Sequence, residues 1–394
     1  MIQNTLLALA IMIFAGMLCG RLVKHIKLPN VTGYLIAGLL IGPSVFNVIP
    51  RDAIESFTII SNAALGFIAF SIGNEFKISY FKRVGATPII IAALESLFAV
   101  IFVVTGLLIA GQSLSFSLVL GAIAAATAPA ATIMVIKQYR AKGPMTETLL
   151  SVVAIDDATA LMYFGICVAV ANALEGGHVS IAQTLLSPLF EIGGALIVGF
   201  VLGLIFTIPL RFFKKEGNRL SLIIAFVFLG VGLADLCGFS SLLLCMAMGA
   251  ALANFSRETP KIMSIAEGFT PPLFLLFFVA SGAELQLSIL PSIGVAGIIY
   301  VLLRVAGKMA GTALAAAICK AAAPIRKYLG MALVPQAGVA IGLSLIATTA
   351  VPEYGATIRA IILCATLIYE LIGPAVAKLS LTKAGEIALP DKTK

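Results

Sequence analysis

Residues 149–170 read LLSVVAIDDATALMYFGICVAV, an apolar stretch long enough to cross a bilayer as a helix, with Asp156 and Asp157 at its middle. A charge at the centre of a membrane helix costs roughly 2.5–3.5 kcal/mol on insertion scales. Carboxylates kept at that depth typically bind a cation, carry a proton, or do both. Adjacent residues of a helix point about 100° apart, so we expect the two aspartates to face different neighbours and to have different roles.

The composition predicts an all-α membrane protein. The chain has 394 residues, 60% of them hydrophobic and 11% charged, with a mean hydropathy of +1.10. A soluble domain carries roughly 25% charged residues. Apolar segments near the spanning length recur throughout and predict about thirteen transmembrane helices. They lie at about 4–20, 31–49, 54–73, 86–110, 115–136, 146–173, 180–210, 220–236, 239–254, 264–283, 289–318, 329–350 and 357–377.

The basic residues predict the orientation of these helices. When successive loops are assigned to alternate sides, nearly all of the 26 lysines and arginines fall on the side of the C-terminus. Only Arg51 and Arg359 fall on the other side, and Arg304 and Lys308 lie within a helix. Basic loops face the cytoplasm, which predicts an outside N-terminus and a cytoplasmic C-terminus. The net charge of +8 then reflects topology and does not indicate a nucleic-acid partner.

Two apolar segments contain helix-breaking residues. Residues 124–132 read AAATAPAAT and residues 334–342 read VPQAGVAIG. Proline removes a backbone donor and displaces the carbonyl one turn earlier, which predicts interruptions at Pro129 and at Gln336 and Gly338. In a membrane, freed backbone groups are tolerated where they line a cavity or meet a ligand. Each segment taken alone would also fit a simple proline kink.

The positions of the two segments favour more than a kink. They belong to the fifth and twelfth predicted helices, which are seven helices apart in the chain. The short helices near 39–44 and 246–251 correspond at the same offset. Because the offset is an odd number of helices, the two halves would have opposite orientations in the bilayer. Paired interrupted helices in an inverted repeat are typical of secondary transporters with a binding site near the midplane. We therefore predict two inverted repeats whose interrupted helices cross near Thr127 and Gln336.

The buried charges predict a cation site. Lys308 follows Arg304 by four residues, so both cations lie on one helix face. Lys308 placed against one aspartate would leave the other aspartate to a cation. Carboxylate, hydroxyl and carbonyl oxygens suit a hard cation such as Na⁺, and the sequence has no His/Cys set for a transition metal. A cation and one or two protons would then compete for the same oxygens.

Glu95 is a further charge within an apolar segment, 86–110. Once Lys308 is assigned to an aspartate, Arg304 is the membrane cation left to neutralise it. The sequence leaves open whether Glu95 and Arg304 form a structural ion pair or Glu95 takes part in transport.

One series of motifs runs through nearly the whole chain. It consists of Leu28-Pro29, Gly33-Tyr34, Gly42-Pro43, Thr127-Ala128-Pro129, Asp156-Asp157 and Lys308. In this order the motifs resemble those of the bacterial monovalent cation:proton antiporters, in the Kef-type and NapA-type branch of the Na⁺/H⁺ exchanger superfamily. The resemblance covers residues 1–380 and implies an NhaA/NapA-like fold.

The resemblance also implies how the chain is organised and what it does. Residues 1–380 would interleave a dimerisation domain with a moving core that includes about 86–173 and 264–350, and 381–394 would be a short cytoplasmic tail. A homodimer would exchange Na⁺, or else Li⁺ or K⁺, for protons by alternating access, without a cofactor.

Residue roles follow from the same resemblance. Asp157 would bind the proton and the Na⁺, Asp156 would be the partner of Lys308, and Thr127 would line the site at the helix break. The first interrupted helix lacks the carboxylate that some relatives carry beside the threonine.

Three other functions remain to be weighed. An intramembrane aspartyl protease would need two aspartates on different helices facing one another, whereas these are adjacent. A cation channel could also use polar helix breaks, although the predicted inverted repeat and the Lys–Asp set favour a carrier. A sensor would bind cations without moving them.

Overall fold

The computed structural model describes residues 4–26, 28–50, 54, 57–74, 76–78, 85–174, 181–285, 287 and 294–387. Within these residues the chain forms fifteen α-helices and one 3-10 turn at Pro209–Arg211. The helices are α1 (Thr5–His25), α2 (Asn30–Ile41), α3 (Thr58–Gly73), α4 (Thr87–Ile109), α5 (Leu114–Ile123), α6 (Pro129–Tyr139), α7 (Pro144–Leu174), α8 (Ile181–Thr207), α9 (Glu216–Cys237), α10 (Ser241–Phe255), α11 (Thr259–Glu284), α12 (Gly294–Ile318), α13 (Ala323–Ala332), α14 (Gly338–Ala350) and α15 (Pro352–Lys383).

The helices confirm an all-α, multi-pass membrane protein. Eight of those described, α1, α4, α7, α8, α9, α11, α12 and α15, are long and apolar enough to cross a membrane. Five more, α2, α3, α5, α10 and α14, are apolar but shorter. Each of the thirteen predicted segments overlaps a described helix. The predicted start of the eleventh segment at 289 and residues 388–394 of the predicted tail lie outside the described residues.

Both predicted helix interruptions are confirmed. The fifth segment is divided into α5 and α6, and the twelfth into α13 and α14. Pro129 lies in the first turn of α6, where a missing N–H removes no intrahelical bond. The two unwound stretches meet, because the backbone N–H of Ala128 donates to the carbonyl of Pro335 at 2.9 Å. The predicted meeting point near Thr127 and Gln336 is therefore also confirmed.

The chain divides into two compact units. The first unit consists of 1–19, 34–85 and 189–284. In it α3 packs against α9, α10 and α11. Gly73 of α3 and Gly249 of α10 allow close approach, since a Cβ on either would collide with backbone of the facing helix.

The second unit consists of 20–33, 86–188 and 285–394 and holds the buried charges. The most extensive contact between two of its helices joins α4 and α12. Gly307 and Gly311 of α12 lie against α4, where a Cβ on Gly311 would come within 2.7 Å of the Glu95 Cα. This Gly-x-x-x-Gly spacing is a common device for close packing of membrane helices.

The predicted core boundaries differ from those of the second unit. The predicted range 264–350 includes residues 264–284, which belong to the first unit because α11 packs on α3 and α9. The second unit also contains α15, which packs on α13 and α14.

Candidate ion-binding site

The two aspartates lie on α7 inside the second unit. Asp156 is fully buried and Asp157 is 4% exposed. Among the described residues, one oxygen of each carboxyl group, Oδ1, is buried without a hydrogen-bond partner. Buried polar atoms are nearly always hydrogen-bonded, so exceptions need a specific explanation. Two such oxygens on neighbouring carboxyl groups offer ligands to a cation or a proton.

Thr127 connects the first helix break to this pair. Its hydroxyl donates to Asp156 Oδ2 at 2.6 Å and accepts a hydrogen bond from Lys308 Nζ at 2.8 Å. The hydroxyl reaches both groups because residues 124–128 are not helical and run directly past α7 and α12. Thr127, Asp156 and Lys308 are therefore brought together, as the sequence predicted.

Lys308 has a different principal partner from the one predicted. Its ammonium donates to Glu95 Oε2 at 2.7 Å, to the Ala125 carbonyl at 2.8 Å and to Thr127 Oγ1. Asp156 Oδ2 is farther away, at 3.6 Å. An ammonium has three hydrogens, and all three are used. The predicted ion pair of Lys308 with Asp156 is present at 3.6 Å, and Glu95 is a second, closer partner at 2.7 Å that the sequence did not assign to Lys308.

Arg304 does not pair with Glu95, so the structural ion pair that the sequence left open as one alternative is not formed. Its guanidinium instead donates to backbone carbonyls of both unwound segments, those of Ala124, Ala126, Val334 and Pro335. These carbonyls lie past the C-terminal ends of α5 and α13, where helix dipoles are negative. A guanidinium offers five N–H donors in a fixed fork. The positive charge of Arg304 therefore offsets the negative ends of the two helices through the carbonyls of the unwound segments. Its guanidinium carbon also lies 4.6 Å from the Tyr369 ring centroid.

Gln336, in the second unwound segment, is hydrogen-bonded to the end of α5, where the first unwound segment begins. Its side-chain nitrogen donates to the Ile123 carbonyl at 2.9 Å, and its oxygen accepts from the Tyr300 hydroxyl at 3.0 Å. Gln336 is fully buried, and Gly338 begins α14 immediately after the unwound stretch. Gln336 and Gly338 therefore serve the predicted helix break, and Tyr300 is a contributor that the sequence did not single out.

Glu95 is surrounded by polar groups of the site. Ser96 Oγ donates to Glu95 Oε1 at 2.8 Å, and Lys308 Nζ donates to Glu95 Oε2 at 2.7 Å. The cluster around Lys308 thus contains the carboxyl groups of Glu95 and Asp156 and one ammonium. The Gly307 and Gly311 spacing was a sequence signal for close packing of this face of α12, although it does not identify Glu95 as the residue packed there.

Comparison with known proteins identifies the family. The sequence profile described as "Sodium/hydrogen exchanger, transmembrane" matches residues 9–381. The chain belongs to the sodium/hydrogen exchanger family.

Individual relatives agree with this assignment. The exchanger is 22% identical over 329 residues to the "High-affinity Na(+)/H(+) antiporter NhaS3" of Synechocystis sp., covering 73% of this chain and 70% of that protein. It is 26% identical over 310 residues to "Na(+)/H(+) antiporter 1" of Methanocaldococcus jannaschii, covering 75% and 71%. The solved structure of the sodium proton antiporter MjNhaP1 from the same organism at pH 8 matches with a TM-score of 0.74 and 20% identity, over 96% of this chain and 98% of that one.

Family membership decides among the functions considered from the sequence. The protein is a transporter that exchanges a monovalent cation for protons, and the aspartyl protease alternative is excluded. Its fold is that of the MjNhaP1 antiporter.

Proposed function

We propose that the exchanger carries Na⁺ inward or outward against protons by alternating access, with the cation bound at Asp156 and Asp157. The observation that carries this assignment is the pair of buried Oδ1 atoms without partners, on adjacent residues of which Asp156 is hydrogen-bonded to Thr127 of the first unwound segment. Li⁺ and K⁺ are the alternative cargoes, since all three ions prefer oxygen ligands.

Competition for the same oxygens couples the two ions. Asp157 Oδ1 supplies one ligand, Asp156 supplies another, and the Thr127 segment lines the site. A carboxylate that binds a cation cannot hold a proton at the same oxygen. Arrival of Na⁺ therefore releases a proton to the open side, and proton uptake on the other side releases Na⁺.

The transport cycle requires a moving part and a fixed part. The second unit, which contains the whole charge cluster, is our candidate for the moving core, and the first unit is the candidate scaffold of a homodimer. The proposed topology has thirteen crossings in two inverted repeats, the N-terminus outside and the C-terminus in the cytoplasm of a bacterial cell, within its inner membrane. The distribution of basic loops supports this orientation. A mass measurement in lipid tests the dimer.

Cation uptake driven by a pH gradient tests the proposed function. Purified protein in proteoliposomes should take up Na⁺ when the lumen is acidic, and the uptake should collapse when the gradient is dissipated. Li⁺ and K⁺, measured in turn, rank the cargoes. A channel would give cation flux that does not move protons, and a sensor would bind cations without flux, so either result would contradict exchange.

A further inference from the structure

We propose that Tyr300 and Gln336 are positioning residues of the ion site, which set its cation affinity by fixing the first unwound segment, residues 124–128. They act on the two aspartates through this segment. The inference rests on the proposed function and deepens it by adding two uncharged residues that control the same site.

One face of α12 follows the first unwound segment. Tyr300, Arg304 and Lys308 are four residues apart, so they lie on one side of the helix. Arg304 and Lys308 donate between them to the three consecutive backbone carbonyls of 124–126. Tyr300 continues this row toward the end of α5, but it reaches the backbone there through a second side chain, that of Gln336.

The amide group of Gln336 is fully hydrogen-bonded between Tyr300 and α5. The Tyr300 hydroxyl donates to Gln336 Oε1 at 3.0 Å and accepts from Gln336 Nε2 at 2.8 Å. The same nitrogen donates to the carbonyl of Ile123, the last residue of α5, at 2.9 Å. Both side chains are fully buried, so water does not replace these bonds. Tyr300 therefore fixes the amide that joins the second unwound segment to the beginning of the first.

The segment held in this way carries Thr127 to the ion site. The Thr127 hydroxyl donates to Asp156 Oδ2 at 2.6 Å. The next residue, Ala128, donates its backbone N–H at 2.9 Å to the carbonyl of Pro335, which immediately precedes Gln336. A shift of Gln336 would thus disturb the segment at both of its ends. The hydrogen-bond partner of the Asp156 carboxyl group moves with the Gln336 amide.

Tyr300→Phe tests this assignment in proteoliposomes, because phenylalanine keeps the buried ring and removes only the hydroxyl. Residues that orient the ligands of an ion typically change its affinity by about 10–100-fold. We expect the KM for Na⁺ uptake to rise by about tenfold, with a smaller change in kcat. An unchanged KM would overturn the proposal.

The matched control is Tyr369→Phe. Its hydroxyl donates at 2.8 Å to the Val301 carbonyl, a backbone group of α12 outside the unwound segments. The same chemical change is therefore made beside the same helix, and the KM for Na⁺ should stay at the wild-type value. An equal rise in KM for Tyr369→Phe and Tyr300→Phe would overturn the special role of Tyr300.

Hydrogen exchange reports on the unwound segments without transport. The Ala128 amide joins the two segments through its bond to Pro335, so it should exchange faster in Tyr300→Phe than in Tyr369→Phe. We expect a difference of about two- to tenfold, the range that one net hydrogen bond represents. Equal exchange in the two variants would show that Tyr300 does not fix the segment and would overturn the proposal.

A double variant separates positioning from a loss of stability. Tyr300→Phe leaves Gln336 Oε1 buried without its donor, and adding Gln336→Met removes this orphaned oxygen. The Ile123 carbonyl keeps its hydrogen bond from the Ala126 N–H. The thermal midpoint should therefore return toward that of the wild type, while the KM for Na⁺ stays raised because the side-chain link to α5 is gone. A KM that recovers together with the midpoint would overturn the proposal.

A measurement on the wild-type protein covers the case in which Tyr300→Phe does not fold. Coupling between two sites is reciprocal, so saturating Na⁺ should slow exchange of the Ala128 amide. The control is the Asn30 amide, which donates at 2.8 Å to Gln138 Oε1, roughly 15 Å along α6 from Ala128. Ala128 exchange that is insensitive to Na⁺ would overturn the proposal.

Failure of the proposed function has a different signature. A wild-type protein that takes up no alkali ion contradicts cation exchange itself, whatever Tyr300 does. The exchange of Ala128 in Tyr300→Phe and Tyr369→Phe then decides whether Tyr300 fixes the unwound segment. Normal uptake by the wild type and by Tyr300→Phe would instead leave the proposed function intact and overturn this inference alone.

Discussion

Two ion pairs of this protein have nearly the same length but opposite surroundings. In the second unit, Lys308 and Glu95 are 2.7 Å apart with neither side chain exposed. In the first unit, Arg219 and Glu258 are 2.8 Å apart, with side chains 2% and 42% exposed. Lys214, itself 62% exposed, is a second cation beside Glu258 at 3.8 Å. Distance alone therefore does not distinguish a pair in the transport site from one near the helix ends.

Burial decides what each pair can do. Glu258 shares its charge with water, so loss of its partners is compensated by hydration and by salt. Glu95 and Lys308 have no such compensation, and each must be satisfied by side chains and carbonyls of the site. The buried pair is consequently sensitive to every group around it.

Removal of the buried cation should have the largest effect on stability. Lys308→Ala leaves Glu95 and Asp156 facing each other without a positive charge, and breaking a buried pair in this way costs about 3–5 kcal/mol. Lys308→Gln should lose less, because it can still donate hydrogen bonds. Thermal midpoints in detergent measure the stability of both Lys308 variants, and Lys214→Ala is the control at an exposed lysine. Equal midpoints for Lys308→Ala and Lys214→Ala would remove the distinction between the two pairs.

An intermediate effect is expected at Glu386, a half-buried carboxylate bound by neutral donors. It accepts hydrogen bonds from the backbone N–H groups of Met145 and Thr146, at 2.7 and 2.6 Å, and from the Thr146 hydroxyl. It thus caps the N-terminus of α7, the helix of the two aspartates. Loss of a helix cap costs about 0.5–2 kcal/mol. Glu386→Ala should lower the thermal midpoint by less than Lys308→Ala does.

The matched variant for this position is Glu386→Gln, which keeps an oxygen acceptor and should fall between the alanine variant and the wild type. Hydrogen exchange at Met145 and Thr146 should be faster in Glu386→Ala. Unchanged exchange at both amides would show that the cap does not stabilise α7.

The smallest effect is expected at Glu258. The hydrogen bond and charge of Arg219 lower the pKa of Glu258 below its usual 4.5. A carboxylate with a lowered folded-state pKa contributes stability above its unfolded-state pKa and loses it as pH falls through the folded value. Glu258→Gln should therefore be slightly less stable than wild type at neutral pH and equal to it in acid.

Added salt should shrink this difference, since exposed charges are screened. Unfolding midpoints of the variant and the wild type at two ionic strengths provide the check. A difference that persists in acid or in high salt would place Glu258 in a buried environment like that of Glu95.

The helix breaks and the aspartates could be predicted from sequence because their signals are local. Proline and glycine in apolar segments identified both interruptions, and two carboxylates in a spanning segment identified the site. The partner of Lys308 could not be found in this way. Arg304 and Lys308 are four residues apart on one face, roughly 6 Å along the axis, and helical periodicity does not give the depth at which α4 packs against that face.

The role of Arg304 was missed for a different reason. Its acceptors are backbone carbonyls, which every residue carries, so nothing in the letters of residues 124–126 or 334–335 marks them. Only the unwinding of both segments exposes these carbonyls. The sequence offered only a side-chain carboxylate, that of Glu95, as a candidate partner for Arg304.

Transport and Na⁺ binding by Asp157→Asn test the central assignment most directly, since an amide has about the same shape as the carboxyl group but cannot take up and release the proton. Asp235→Asn makes the same chemical change at an exposed aspartate of α9 and serves as the control. We expect Asp157→Asn to fold with a thermal midpoint no lower than that of the control, yet to show neither Na⁺ binding nor uptake driven by a pH gradient, while Asp235→Asn behaves as wild type. Na⁺/H⁺ exchange by Asp157→Asn at the wild-type rate would contradict the assignment of the ion site to this aspartate.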